Sequence, residues 1–297
     1  MQIRIGGLEI GRADGPLGPV GVSDFDPSYP EIRSSDNPRE ARDGVIPGRD
    51  YLGSRRLSFD VWTNRQSMKE ARDTIGEVLR VWRDQRTRLV SGALVPLDYR
   101  ATDDPRWKRV YGRPRRADDP DFGVLMRGGR AESSLEFEVF DPLVYDEALQ
   151  EVTLRVVEGS TAGDSWIPPW TWPVVPSAGT TERRPGALQI DGQERTPVMV
   201  EFHGPGSRFS IDGSRGWHVG LKPNVTLAYD ESIFIDPLTR TVTDNFGNDR
   251  SGTLDRRTYL TDVGLAPGME NVFFSAVDPS HRAYTVISWR PAYASLA

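Results

Sequence analysis

The chain has 297 residues, no cysteine, a net charge of −6 and 37% hydrophobic against 27% charged residues. That length fits two domains with modest cores better than one large one, and the lack of cysteine excludes disulfide scaffolds, thiolate metal sites and cysteine nucleophiles. The acidic balance argues against a reader of duplex DNA, and no apolar run approaches a membrane span, so the expectation is a chain made in the cytoplasm with no membrane insertion.

Residues 1–62 read as strands and turns. QIRIGGLEIG alternates around Gly6-Gly7, the pattern of a hairpin turn. DGPLGPVGVSDFDPSYP is dense in glycine and proline and is expected to be a loop. Arg56 to Trp62 alternate strictly, with Leu57, Phe59 and Val61 on one side and Arg56, Ser58, Asp60 and Trp62 on the other. This predicts a half-buried strand.

One helix is predicted near 67–86. Ser67 with Glu70 has the spacing of a capping box. Met68, Ala71, Ile75, Val78, Leu79 and Trp82 then recur at three and four, an apolar stripe that needs a sheet or another element to cover it. No second helix of this quality is expected. Strand signals return in RLVSGALVPLDYR (88–100), RWKRVYGRPRRADD (106–119) and SSLEFEVFDPLVYDE (133–147), where Asp141-Pro142 stops what reads as the last strand of a first domain.

The second half opens with the alternating EVTLRVVEG (151–159) and the segment SWIPPWTWPVVP (165–176). From Ala187 onward come eight or nine short strand candidates with no helix between them, which suggests a β-sandwich or jelly roll. The fold class is therefore mainly β with one helix: an N-terminal domain over 1–148, whose helix plugs a β-barrel or covers a sheet, and a C-terminal sandwich or jelly roll over 149–297.

Catalytic signatures are missing. His203, His218 and His281 form no zinc-binding spacing, and no nucleophile elbow, P-loop or dinucleotide fingerprint occurs. The prolines of GPLGPVG (15–21) remove the N–H donors a phosphate cradle needs. Asp230, Glu231 and Asp236 flank one strand, and period two would put Asp230 and Asp236 on the same side. Hairpin-end charges and an Asp-Pro turn are the favoured reading over a glycosidase pair. DNFGNDRSG (244–252) reads as a turn rather than a calcium loop. The basic runs GRPRRADD (112–119) and LDRRTYL (254–260) read as ion-paired surface. Trp166, Trp170 and Trp172 are candidates either for an interface or for stacking on a glycan. The interface reading is preferred, because proline-rich chain is stiff and suited to bridging. Neither a catalytic residue, a metal site nor a cofactor is expected.

The order of GRDYLGSRRLSFDVW (48–62), FEVFDPLVYDE (137–147), ESIFIDPLTRTV (231–242), LAPGMENVFFSA (265–276) and YTVISWRPAY (284–293) resembles the distal tail proteins of long-tailed, non-contractile bacteriophages. The resemblance covers most of the chain, although each motif is a soft pattern of strands and turns. It implies a barrel-like domain with a helix that builds a homohexameric ring at the tail tip of the virion, and a galectin-like C-terminal sandwich. It also implies, as partners, the tail tube protein, the tape-measure protein and tail-tip hub or receptor-binding proteins, with DNA only as passing cargo and no catalysis. A host-glycan binding module is the competing reading.

Overall fold

The computed structural model describes residues 1–12, 20–102, 104–121, 123, 129–156 and 185–295. The chain divides into two compact units, Met1–Glu147 with Tyr293–Ala297, and Ala148–Ala292.

The first unit opens with β1 (Gln2–Ile5) and β2 (Leu8–Ile10), paired with Ile5 opposite Leu8. Gly6 and Gly7 both have positive φ, 54° and 81°, as a two-residue hairpin turn requires. Next comes β3 (Val20–Asp26), in the stretch expected to be a loop. The glycine and proline punctuation lies mostly before Val20. Val20 itself is buried, and β3 gains its ladder from a partner distant in sequence. Four short strands follow: β4 (Ile32–Ser34), β5 (Asn37–Pro38), β6 (Val45–Ile46) and β7 (Asp50–Leu52). They pair β4 with β7 and β5 with β6, which makes a hairpin arm.

Strand β8 (Arg55–Asn64) buries Leu57, Phe59 and Val61 and turns Trp62 outward, as its alternation predicts. Gly21 of β3 lies opposite Trp62, and a Cβ there would sit 2.3 Å from the indole. Glycine is thus required where the ring lies across the neighbouring strand.

Helix α1 (Met68–Trp82) follows. Ser67 caps it, its hydroxyl accepting from Glu70 N at 3.2 Å. Ala71, Ile75, Val78, Leu79 and Trp82 are buried as predicted, whereas Met68 in the first turn stays 40% exposed. The helix stops at Trp82, short of the predicted 86. A second helix, α2 (Gln85–Leu89), begins after Asp84, whose carboxylate accepts from Arg86 N. It buries nothing, so it leaves no apolar stripe to read in the sequence.

The remaining strands of this unit are β9 (Val95–Arg100), β10 (Lys108–Ala117), β11 (Arg130–Val139) and β12 (Val144–Asp146). Residues 88–94 are therefore helix and turn rather than strand, and β11 is not the last strand of the unit. The antiparallel order is β2-β1-β9-β10-β11-β8-β3, with β12 beside the start of β10. β2 and β3 stand at opposite ends of this order. Yet Gly11 N donates to Val20 O at 2.8 Å across them, so the sheet curls toward a barrel. Helix α1 covers β8, β10 and β11.

The second unit is a two-sheet sandwich. Its strands are β13 (Gln150–Arg155), β14 (Pro185–Ile190), β15 (Thr196–His203), β16 (Gly206–Gly213), β17 (His218–Gly220), β18 (Thr226–Leu227), β19 (Ser232–Asp236), β20 (Thr241–Asp244), β21 (Gly264–Leu265), β22 (Gly268–Val277) and β23 (Tyr284–Trp289). One sheet runs β13-β23-β15-β19-β20 with β21 beside β15. The other runs β14-β22-β16-β17 with β18 beside β16. The chain crosses repeatedly between sheets, so neither can form without the other. Phe202 of one sheet meets Phe209 and Phe274 of the other, at centroid distances of 5.6 and 6.3 Å. Each such buried side chain contributes about 1.5–3 kcal/mol.

Candidate assembly and ligand-binding surfaces

Asp-Pro-Leu turns occur once in each half, and they use the same chemistry. Proline supplies no N–H, so the carboxylate of the preceding aspartate reaches past it. Asp141 accepts from Leu143 N at 3.1 Å, and Asp236 accepts from Leu238 N at 2.9 Å. Each turn is locked further, by the Tyr145 hydroxyl donating to Asp141 and the Thr239 hydroxyl donating to Asp236 at 2.7 Å. Burial pushes the Asp141 carboxyl up.

The acidic residues and histidines of the second unit also enter turn and sheet contacts. Asp230 lies in the turn before β19, not on the strand, so it does not share a strand face with Asp236. Glu231 accepts from Ala228 N at 2.8 Å. His203 stacks on Tyr284 at 4.4 Å. His218 sits between two carboxylates, with Nδ1 at 2.7 Å from Asp212 and Nε2 at 2.9 Å from Asp255, which ties β17 to β16 and to the loop beyond. Among the described residues no cluster of His, Asp or Glu is arranged to hold a metal ion.

The arginines of the first basic run are paired. Arg113 donates to the carbonyls of Ala93 and Val90, Arg115 meets Glu138 at 2.6 Å, and Arg116 meets Asp118 at 2.7 Å. In the second run, Arg257 lies 3.8 Å from Asp212. Most of these pairs are exposed and worth little. Arg109 differs. It is largely buried, grips Asp98 through two bonds of 2.6 and 2.9 Å, and is held charged by them.

The loop read as a turn organises around Asp244. Its carboxylate accepts from Phe246 N, Asn248 N, Asn248 Nδ2 and Arg250 Nε, all within 3.1 Å. These bonds, the Asn248 side chain first, lower its pKa to about 2. The folded value lies below the unfolded value near 3.9. The contribution is therefore complete above about pH 4 and lost as pH falls through about 2. Amide exchange at Phe246 and Asn248 is expected to stay slow at pH 5 and accelerate between pH 4 and 2. An Asp244→Asn variant is expected to lack that transition.

Among the described residues, two surfaces stand out as open to a partner or ligand. The first is the arm. Ile32, Val45, Ile46, Tyr51 and Leu52 are each more than half exposed and Tyr29 is 94% exposed. The arm is nevertheless ordered by its own polar bonds, such as Asp36 accepting from Gly48 N at 2.7 Å and Ser35 Oγ accepting from Arg49 N at 2.9 Å. An apolar patch held in shape but uncovered is a candidate interaction surface. The second is a cleft beside the Asp244 loop. Trp166, Trp170 and Trp172 lie outside the described residues, as does most of 15–21. The arm escapes sequence reading because its strands are two or three residues long. Tyr51 and Leu52 stand in GRDYLG, but nothing in that stretch tells that they stay uncovered.

No membrane-length apolar helix occurs among the described residues. No protein-family model matches the chain and no curated protein matches its sequence. Solved structures do match. The chain aligns with the crystal structure of the SPP1 Dit protein (gp 19.1), a paradigm of the hub adsorption apparatus in phages that infect Gram-positive hosts. The TM-score is 0.58 at 16% identity, over 98% of both chains. A chain of the phage P2 baseplate, in its activated conformation with Ca, aligns with a TM-score of 0.51 at 15% identity over 97% of both chains. The same baseplate with Sr gives 0.52 at 14% identity, again over 97% of both. At such identities the likeness is one of fold, and over nearly its full length this chain has the mainly β fold of the phage Dit protein and baseplate chain.

Proposed function

We propose that the protein is a distal tail protein, a structural and non-enzymatic component of a phage tail tip. It forms a homohexameric ring that joins the tail tube to the baseplate hub and lets DNA pass. The observation that carries this reading is the fold likeness itself, which spans both units and is found with a hub protein and with a baseplate. Its partners are further copies of itself, the tail tube protein, the tape-measure protein and the hub or receptor-binding proteins, and its place is the virion.

The first unit supports self-association. Its arm presents apolar side chains and unpaired strand edges, and a two-stranded hairpin is marginal in water unless something covers it. A second copy is the occupant that a ring supplies at every interface. Among the residues weighed for catalysis, those described are engaged in turns and sheet contacts. The domain division 1–148 and 149–297 then separates a ring-forming part from an outward sandwich, with Trp166, Trp170 and Trp172 anchoring the second to the assembly.

Native mass measurement and negative-stain imaging of the full chain, alone and with tail tubes, test this. A closed ring of six with a central opening wide enough for duplex DNA is the expected result. A protein that stays monomeric even with tubes present would overturn it.

A further inference from the structure

The second unit carries a cleft that the tail-tip reading does not use. It is formed by β18, the start of β19 and the loop that follows β20, and has a volume of about 160 Å³. Pockets for drug-sized ligands run to roughly 300–1,000 Å³, so this one admits a single small ring, not a long chain.

Its wall mixes hydrogen-bond donors and acceptors that the chain leaves unused. Glu231 spends one carboxylate oxygen on Ala228 N, and the other has no partner among the described residues. Arg250 spends Nε on Asp244 and has both terminal nitrogens left over. The hydroxyls of Thr226 and Ser232 also line the cleft without a hydrogen bond to the described residues. Two carboxylates, Glu231 and Asp244, stand against one guanidinium, so the cleft is not built for an anion.

One aromatic ring stands at the rim. Phe246 lines the cleft and is 79% exposed. Tyr229, on the adjoining turn, is 70% exposed but does not line the cleft, and its ring faces Arg282 at 5.7 Å. The two turns are tied by Asn245 Nδ2 donating to Asp230 O at 3.2 Å. The four bonds to Asp244 fix the loop that presents Phe246, so little ordering is left for binding to cost.

We infer that this cleft binds one ring of a neutral sugar. A pyranose has an apolar face of C–H groups, which suits an exposed aromatic ring, and an edge of hydroxyls that each donate and accept, which suits a mixed polar wall. The inference does not depend on the ring reading.

Saturation-transfer NMR on the full chain tests it, with glucose, galactose and N-acetylglucosamine as probes and inorganic phosphate as the charged control. At least one sugar is expected to bind with a millimolar Kd, and phosphate is expected not to compete. Phe246→Ala and Glu231→Gln should each weaken binding by about three- to tenfold, the size of one such contact. Phe246 is too exposed for its truncation to disturb the core, and both variants should keep the parent's oligomeric state. A triple Trp166→Ala, Trp170→Ala, Trp172→Ala variant should bind as the parent does. The inference fails if no probe binds, if phosphate competes, or if the triple variant loses binding that Phe246→Ala retains.

Discussion

Replacing Ile32, Ile46, Tyr51 and Leu52 together with serine is expected to abolish the proposed ring assembly and leave a folded monomer. All four side chains are more than half exposed in the single chain, so truncating them removes no packing from its core. Their value lies in what a second copy would cover. If each gains about 1 kcal/mol on burial, the four supply about 4 kcal/mol per interface, or roughly a thousandfold in association. A closed ring repeats that interface at every copy, so the loss multiplies around it. The backbone bonds of β4 with β7 and the Asp36 to Gly48 bond remain, which keeps the arm's shape. Native mass spectrometry at matched concentration, with thermal melting as the folding control, reads both halves of the expectation. Rings that persist in the variant would move the interface elsewhere on the first unit.

Much of the architecture was legible in the sequence where local pattern and tertiary role agree. β8 alternates because one face is core and the other is not. α1 shows its stripe because a curled sheet lies under it. The Gly6-Gly7 turn is legible because the backbone there needs positive φ twice. Failures have an equally local cause. β3 hides behind the glycine and proline that precede it, and its partner β8 lies some forty residues away along the chain. α2 and β12 are too short to carry a period. Asp141-Pro142 was legible as a stop and Asp236-Pro237 as a turn, but the carboxylate locks on both need the positions of Tyr145 and Thr239, which no spacing rule supplies. The candidate surfaces were harder still. Sequence drew attention to Trp166, Trp170 and Trp172, whereas the arm and the Phe246 cleft depend on which side chains stay uncovered after folding. Exposure is a property of the whole fold, not of a window of residues.

A Trp82→Ala variant is expected to lose about 3–5 kcal/mol of stability in the first unit, within the range for emptying a large aromatic site in a core. Trp82 is 4% exposed at the last turn of α1. It meets Phe59 of β8 edge-on, with centroids 5.6 Å apart at 85°, and Phe137 of β11 at 6.1 Å. Its indole N–H donates to Arg116 O on β10 at 3.0 Å. One side chain thus joins the helix to three strands of the sheet, and those strands cannot close over the space it leaves without moving the helix. A Trp82→Phe variant separates the contributions. It keeps most of the aromatic packing and loses the bond to Arg116 O, so it should cost about 1 kcal/mol plus a small packing defect. Against a total stability of about 5–15 kcal/mol for a domain, the alanine change is severe and the phenylalanine change tolerable. Hydrogen exchange of the β8 and β11 amides gives the readout unit by unit, which matters because a chain of two units need not unfold in one step. Equal exchange rates in the parent and the Trp82→Ala variant would mean that α1 is not what holds the curled sheet together.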